Sequence, residues 1–203
     1  LIEMREMAQI APIGEVALAP ISPIVKSMAS DPRAVSVALQ KGGVGKTTIA
    51  INLAERLANR GHDVLLVDLD QQGNASEGVG LSDAYEAATH VGDVLTGESA
   101  PTDVIHELEW FDVIPAHRDL DTVETDIRNA SFGPMWVRNR LIDPLLGDAY
   151  EYIIVDTPPN LGPLADSSLI ATGNVMVPLL MSEPSVSGFE RMVEQQIVPL
   201  RQE

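Results

Sequence analysis

The 203-residue chain carries 30 acidic and 13 basic residues, a formal net charge of −17 at pH 7, and no cysteine. A surface this acidic repels nucleic acid and anionic membranes, which disfavours a generic DNA-binding protein. The absence of cysteine excludes disulfides, thiolate metal sites and cysteine-bound iron–sulfur clusters.

Lysine is rare in the chain and occurs only at Lys26, Lys41 and Lys46. An acid excess with few lysines is typical of adaptation to concentrated salt, where screening weakens the repulsion between like charges. We therefore expect a halophilic source, with an ordinary acidic cytosolic protein as the alternative. The aromatic share of 4% predicts a core of aliphatic side chains, which suits a parallel sheet covered by helices.

Residues 1–33 are predicted to form a loosely ordered tail. Three prolines, Pro12, Pro20 and Pro23, interrupt its apolar residues, and no helix or strand period is sustained. The same prolines and the early acidic residues disfavour a secretory signal, and no apolar run reaches the roughly eighteen residues of a membrane span. Met28 stands shortly before the first predicted strand, and we expect translation of the native protein to start there.

From residue 34 onward, apolar strands alternate with amphipathic helices, which is the order of a doubly wound α/β fold. Strands are predicted at 34–39, 63–70, 111–116, 151–159 and 174–180. Helices are predicted at 47–59, 119–129, 135–146, 164–171 and 186–197. Gly61 is predicted to end the first helix in a left-handed conformation. We expect a mostly parallel sheet flanked by helices, in one domain spanning residues 34–203.

A glycine-rich loop, KGGVGKTT at 41–48, joins the first strand to the first helix. Successive backbone N–H groups of such a loop, together with the helix N-terminus, form an anion site. Gly42, Gly43 and Gly45 permit close approach of a triphosphate, Lys46 reaches its β- and γ-phosphates, and the Thr47 hydroxyl is a ligand for Mg²⁺. The predicted nucleotide-binding residues are Lys41, Gly42, Gly43, Val44, Gly45, Lys46, Thr47 and Thr48. The loop therefore predicts a P-loop fold that binds a nucleoside triphosphate.

This loop departs from the common pattern GxxxxGK[ST], because Gln40 stands at the first glycine position and Lys41 follows it. It resembles the deviant Walker A motif of the ParA/MinD family of dimerising ATPases, and the resemblance extends over residues 35–196. The resemblance implies that Lys46 contacts the chain's own ATP, whereas Lys41 crosses a dimer interface to the partner's ATP. Both would stabilise charge where the γ-phosphate leaves. A solvated surface lysine is the alternative for Lys41.

Carboxylates follow two predicted strands at their carboxyl ends. The stretch VDLDQQGNAS contains Asp68 and Asp70, and IIVDTPPN contains Asp156. Both resemble motifs of the same family, which implies that Asp70 orients or activates the attacking water, that Asp156 holds Mg²⁺ through water, and that Asp68 supports the metal shell. The alternative is that acids at strand ends only cap the following turn, most of all at Asp68. Lys41, Lys46 and Asp70 are thus the predicted catalytic residues.

Other residues give weaker evidence of a function. The prolines after Asp156 and the later Gly162 resemble a switch segment that senses the γ-phosphate. Four histidines show no metal spacing and are expected on the surface or in loops: His62, His90, His106 and His117. The one concentration of basic residues is expected to contact DNA, a partner or nearby acids, with solvated helix-face charge as the default: Arg128, Arg138 and Arg140.

Within the family, the absence of cysteine rejects the nitrogenase reductase and iron–sulfur carrier branches, and no basic amphipathic helix of the MinD type is present. The phrases DLDQQGNAS, DTPPNLGPLADSSL and VPLLMSEPSVSGFERM most resemble the ParA/Soj branch. That resemblance implies a cytoplasmic, nucleoid-associated ATPase in plasmid or chromosome partitioning, without membrane binding. It also implies an ATP-bound homodimer, nonspecific DNA binding, and a ParB-type partner that stimulates hydrolysis.

The chain stops at Glu203, before the further strands and helices that family members carry. We therefore expect a C-terminally truncated fold in which DNA affinity belongs to the segment that is missing. Two alternatives to a working partition ATPase are a catalytically weak scaffold that uses nucleotide mainly to dimerise, and a degenerate truncated paralogue.

Overall fold

The computed structural model describes residues 18–20, 33–160, 162–179 and 183–200, and the strands of this part form one seven-stranded sheet. In chain order they are β1 Leu18–Pro20, β2 Arg33–Val37, β3 Val64–Asp68, β4 His106–Glu107, β5 Asp112–Ile114, β6 Tyr152–Asp156 and β7 Asn174–Met176. Their spatial order is β1-β7-β2-β6-β3-β5-β4. The inner strands from β7 to β5 are parallel, and β1 and β4 pair antiparallel at the two edges. The predicted doubly wound, mostly parallel sheet is confirmed.

The edge strand β1 lies inside the segment predicted as a tail, where it pairs with β7. A strand of three residues is too short to show an alternating pattern, so it could not be predicted from hydrophobic spacing. Pro20 is tolerated there because an edge strand leaves one row of backbone groups unpaired. The other residues of 1–32, including Met28, lie outside the described residues.

Seven α-helical segments are described: α1 Lys46–Ala58, α2 Asn74–Gly78, α3 Val91–Thr96, α4 Leu120–Asn129, α5 Pro163–Thr172, α6 Glu183–Met192 and α7 Val198–Leu200. Shorter 3₁₀ turns occupy Ser82–Glu86, Pro101–Val104 and Gly133–Met135, and wider π turns occupy Arg138–Ile142 and Val193–Ile197. As predicted, Gly61 follows α1 in a left-handed conformation, with φ of 90°. None of the helices in the described part is long and apolar enough to cross a membrane.

The helix predicted at 135–146 is wrong as a regular α-helix. The segment is preceded by Gly133, where a β-carbon would lie 1.8 Å from the carbonyl oxygen of Ile127 in α4. It then widens into a π turn closed by the bond from the Asp143 N–H to the Arg138 carbonyl oxygen, 2.8 Å. This wider turn keeps Leu141 and Ile142 in the core, although neither the tight entry nor the widening leaves a mark in hydrophobic spacing.

The core lies on both faces of the sheet, because alternate residues of the inner strands point to opposite sides. On β6, Ile153 and Val155 pack into the cluster beneath α3, α4 and α5, whereas Ile154 packs into the cluster beneath α1. The helix α1 presents Ala50 and Ala54 to the sheet, both fully buried, and such small side chains let the helix backbone approach closely. This packing fixes the start of α1 over the carboxyl ends of the strands.

Candidate functional site

The carboxyl ends of β2, β3 and β6 meet at one edge of the sheet. Asp156, the last residue of β6, is in register with Asp68 at the end of β3 and with Val37 at the end of β2. The glycine loop follows β2, and the loop containing Asp70 follows β3. Three stretches far apart in the chain therefore share one crevice, where ligands of open α/β sheets bind.

The glycine loop surrounds open space. A β-carbon added to Gly42, Gly43 or Gly45 would meet no atom within 4 Å. Gly43 and Gly45 have φ of 72° and 89°, which glycine adopts without strain. The helix α1 begins at Lys46 with no side-chain cap on its N-terminus. Its first N–H groups are therefore available to an anion, and the helix dipole adds positive potential there.

Lys46 is the buried positive charge of this loop, whereas Lys41 is half-buried at its start. Its residue is only 7% exposed, and its Nζ donates to the backbone carbonyl oxygen of Lys41 at 3.5 Å. Burial lowers the pKa of Lys46, whereas the charges of Asp156 and Asp70 act to raise it. The Lys46 ammonium group lies between a phosphate-sized space and two carboxylates. It is therefore suited to hold an anion in that space despite the negative charge nearby.

Asp156 is fully buried, and neither of its carboxylate oxygens has a hydrogen-bond partner that meets geometric criteria among the described residues. Burial raises its pKa from 3.8 to about 7, and the charges of Asp68 and Asp70 raise it further. The Thr47 hydroxyl and the Lys46 ammonium oppose this rise. A buried carboxylate with unmet oxygens is costly unless a cation or donor joins it.

Asp68 differs from Asp156 because its oxygens are already occupied. Its Oδ1 accepts from the Asp70 N–H at 3.1 Å, and its Oδ2 accepts from the N–H and the hydroxyl of Ser76, both at 2.8 Å. Burial raises the pKa of Asp68 to about 6, and these hydrogen bonds oppose the rise. Ser76 also accepts from the Ala116 N–H at 2.9 Å. The geometry favours the alternative in which Asp68 braces the loop and α2 rather than touching a ligand.

Asp70 lies at the mouth of the crevice and is 6% exposed. Its Oδ1 accepts from the Gln72 N–H at 3.0 Å, which fixes the carboxylate over its own turn. Beside it lies a cavity of about 150 Å³, lined also by Glu124 of α4 and by Pro158 and Asn160 after β6. The cavity provides space for water next to Asp70, the carboxylate predicted to orient or activate the attacking water.

The residues fit a polyphosphate and a hard divalent cation. The open glycine loop and the uncapped α1 N-terminus suit phosphate oxygens, and Lys46 matches their charge. The unmet oxygens of Asp156 and the nearby Thr47 hydroxyl form an oxygen donor set of the kind that Mg²⁺ prefers. Lys41 and Thr47 are half-buried and Thr48 is exposed at the edge of the same loop.

His90 and His117 lie in loops, in line with the prediction of surface or loop positions, but His117 is buried. His117 is 1% exposed, and its ring stacks on His90 with centroids 3.6 Å apart and planes inclined by 5°. With Asp119 they bring candidate metal-ligand atoms within 4.8 Å of one another. Their Nδ1 atoms accept from the N–H groups of Gly92 and Asp119. Stacked rings direct their in-plane lone pairs along parallel lines, so the pair is better suited to join the starts of α3 and α4 than to hold an ion.

Two residues of the predicted basic concentration interact within the chain. Arg138 forms an ion pair with Asp143 at 3.5 Å, and the Arg140 guanidinium lies 4.3 Å from the ring centroid of Trp136. Arg138 thus contacts a nearby acid, which is one of the predicted alternatives, whereas Arg140 contacts an aromatic ring.

Replacing Asp156 with asparagine is expected to stabilise the ligand-free protein by about 1–3 kcal/mol above pH 7, because it removes a carboxylate charge that burial makes unfavourable. The folded protein binds the Asp156 proton more tightly than the unfolded chain does, so wild-type stability falls as pH rises from about 4 to 7. The gain should therefore be smaller at pH 5 than at pH 8, where it is nearly complete. Urea unfolding at both pH values measures it.

The exposed Asp148 supplies the matched control for this experiment. Asp148→Asn should change stability equally at pH 5 and pH 8. A gain for Asp156→Asn that is absent at pH 8, or that is the same at both pH values, would contradict the assignment of a buried unpaired carboxylate.

Comparison with known proteins supports a family assignment. A family model described as an AAA domain matches residues 32–201. The chain is 38% identical over 169 residues to the chromosome partitioning protein ParA of Caulobacter vibrioides, covering 82% of this chain and 63% of that protein. It is 41% identical over 147 residues to the chromosome-partitioning ATPase Soj of Thermus thermophilus, covering 72% and 54%. The chain thus spans between half and two thirds of the length of these relatives.

A solved structure shares the fold of this chain. Cobyrinic acid a,c-diamide synthase from Mycobacterium smegmatis, with bound ATP analog and magnesium, matches with a TM-score of 0.74 and 31% identity, covering 84% of this chain and 70% of that one. The family match covers the glycine loop and the carboxyl-end aspartates described above. The chain belongs to this AAA domain family, as a ParA/Soj-type member of the ParA/MinD group of deviant Walker A P-loop ATPases.

Proposed function

We propose that the chain is a Mg²⁺-dependent ATPase switch that dimerises with ATP and acts in plasmid or chromosome partitioning. The observation that carries the proposal is the placement of the Lys46 ammonium, buried at the open glycine loop and facing Asp156 and Asp70. An unliganded protein gains little from burying a cation beside two carboxylates, but a bound triphosphate with its Mg²⁺ would give the ammonium a phosphate partner and the carboxylates a cation.

In this proposal the β- and γ-phosphates occupy the space around Gly42, Gly43 and Gly45, where N–H groups of the loop and of the α1 N-terminus donate to them. The positive charge of Lys46 would stabilise the same phosphate oxygens. Val44 is buried beneath the loop and holds its shape. The domain that carries this chemistry is proposed to span residues 34–203.

Thr47 and Asp156 would hold Mg²⁺, with Asp156 acting through water and Asp68 bracing the loop behind it. When bound, Mg²⁺ neutralises charge on the phosphate oxygens and lowers the barrier to transfer. The chain would hold the Thr47 and Asp156 oxygens in place at the rigid edge of the sheet. The Asp156 charge, which is unfavourable without a ligand, favours binding of the cation.

Asp70 is the proposed catalytic carboxylate. It would accept a hydrogen bond from the attacking water and orient it toward the γ-phosphorus, while the leaving oxygen stays with ADP. Its own hydrogen bond from the Gln72 N–H holds it in position. The adjoining cavity supplies the space for the water.

Lys41 is proposed to reach the ATP of a second copy, which makes dimerisation depend on the triphosphate. The names of the Caulobacter and Thermus relatives support chromosome partitioning as the process. A ParB-type partner would stimulate hydrolysis, and the action would take place in the cytoplasm on the nucleoid. The net charge of −17 opposes DNA binding by this chain in low salt and supports a halophilic source.

Hydrolysis of ATP in molar salt, with excess Mg²⁺ or with EDTA, tests the proposal. We expect slow phosphate release with Mg²⁺ and none with EDTA. Failure of ATP to bind with Mg²⁺ present would reject the proposal, whereas tight binding with no hydrolysis would replace the ATPase with the scaffold alternative.

A further inference from the structure

Glu124 on α4 is a charged residue beside the site to which the proposed nucleotide chemistry gives no role. It lines the same cavity as Asp70. Its Oε1 is buried and has no hydrogen-bond partner among the described residues. Burial raises the pKa of Glu124, with the nearby charges of Asp166 and Asp121 adding to the rise and that of Arg128 opposing it. A carboxylate kept in such a place costs stability, which is typical of residues that serve function.

The contact that Glu124 makes is with the first turn of α5. The Leu164 N–H lies near enough to act on the carboxylate as a hydrogen-bond donor, which opposes the rise in the Glu124 pKa. The N-cap residue of α5 is Gly162, which offers no side-chain cap. Glu124 therefore places a carboxylate beside the uncapped start of α5, at the positive end of the helix dipole.

Glycine at 162 leaves room for the Glu124 carboxylate and is not needed for the backbone conformation. Its φ of −159° is extended and open to any residue. A β-carbon there would lie 2.7 Å from Glu124 Oε1. A side chain at position 162 would therefore displace the Glu124 carboxylate from the start of α5.

The start of α5 is joined to Asp156 by a short segment stiffened by Pro158 and Pro159. That segment lines the cavity opposite the turn of Asp70. Fixing the first turn of α5 consequently limits how far the segment can move from Asp70. Loss of this anchor would alter the cavity while leaving the glycine loop, on the other side of β6, in place.

We propose that Glu124 is a positioning residue that anchors the N-terminal turn of α5, so that hydrolysis depends on it while nucleotide binding does not. The dependence of hydrolysis rests on the proposed function, but the anchor itself does not. Two experiments separate these parts.

The first experiment measures amide hydrogen exchange in the protein without nucleotide. In Glu124→Ala, protection of the Leu164 amide should fall about tenfold or more, because its acceptor is removed. The amide of Gly173, bonded to the Leu169 carbonyl oxygen at the other end of α5, should keep its protection and so reports any global loss of stability. Glu124→Gln retains an acceptor and should keep Leu164 protected. Unchanged protection of Leu164 in Glu124→Ala would overturn the anchor.

The second experiment compares hydrolysis with nucleotide affinity. Glu124→Ala should reduce kcat about tenfold or more, with the Kd for ATP within about threefold of wild type, since the water and γ-phosphate lose alignment. Glu124→Gln should restore most of the rate. Gly162→Ala should also slow hydrolysis in the wild-type background and have no further effect on Glu124→Ala, because its β-carbon then meets no carboxylate.

Equal losses in affinity and rate, or additive effects of the two alanine substitutions, would overturn the positioning role. If wild-type protein shows no ATP hydrolysis while the exchange experiment gives the expected result, the anchor stands and the proposed function fails.

Discussion

Lys46→Ala is expected to weaken ATP binding by about 100-fold or more. The substitution removes the buried ammonium that faces the space of the glycine loop and leaves Asp156 and Asp70 to repel the phosphates. Loss of one partner from a buried charge contact costs about 3–5 kcal/mol, which corresponds to that factor or more. Calorimetric titration with ATP and Mg²⁺ in molar salt measures the change.

Arg56→Ala is the matched control for Lys46→Ala, because it removes a cation from the exposed last turn of the same helix. Its ATP affinity should stay within about threefold of wild type, the scale of a screened surface charge. Retention of near wild-type affinity by Lys46→Ala would show that the phosphates bind elsewhere.

Asp70→Ala is expected to lower kcat by about 100-fold or more, the usual contribution of a positioned carboxylate to water attack. ATP binding should persist, since Lys46 and the loop are untouched and one repelling charge is gone. The variant should therefore accumulate in its ATP-bound form. Phosphate release and chromatography of the bound nucleotide measure both effects.

Asp121→Ala provides the comparison for Asp70→Ala, since Asp121 lines the same cavity but is exposed. Its kcat should remain close to that of wild type. Hydrolysis by Asp70→Ala at the wild-type rate would contradict the role given to this carboxylate.

Much of the site can be predicted from the sequence because its parts are local. The glycine loop, the lysine that begins α1 and the aspartates that end β3 and β6 are each set by a few consecutive residues. The parallel sheet then brings them together, since parallel strands end at one edge. The alternation of apolar strands with helices, and the helical spacing of apolar residues, likewise predict the inner strands and α1, α4 and α5.

The remaining features depend on contacts between distant segments. Ser76 bonds both to Asp68 and to the Ala116 N–H, and no pattern around Ser76 predicts either contact. The approach of Glu124 to Gly162 is equally nonlocal, because it depends on how α4 packs against α5. The buried stack of His90 on His117 joins two loops that look polar in sequence. In each case packing, rather than propensity, determines the arrangement.

The most direct test of the central claim is the mass of the protein in solution, measured by light scattering in molar salt with Mg²⁺ and either ADP or a nonhydrolysable ATP analogue. Wild type should be a monomer with ADP and a dimer with the analogue. Lys41→Ala should bind the analogue yet remain a monomer, because the lysine that reaches the partner's phosphates is gone. A monomer in every condition, or a Lys41→Ala dimer equal to wild type, would contradict the ATP-dependent dimer.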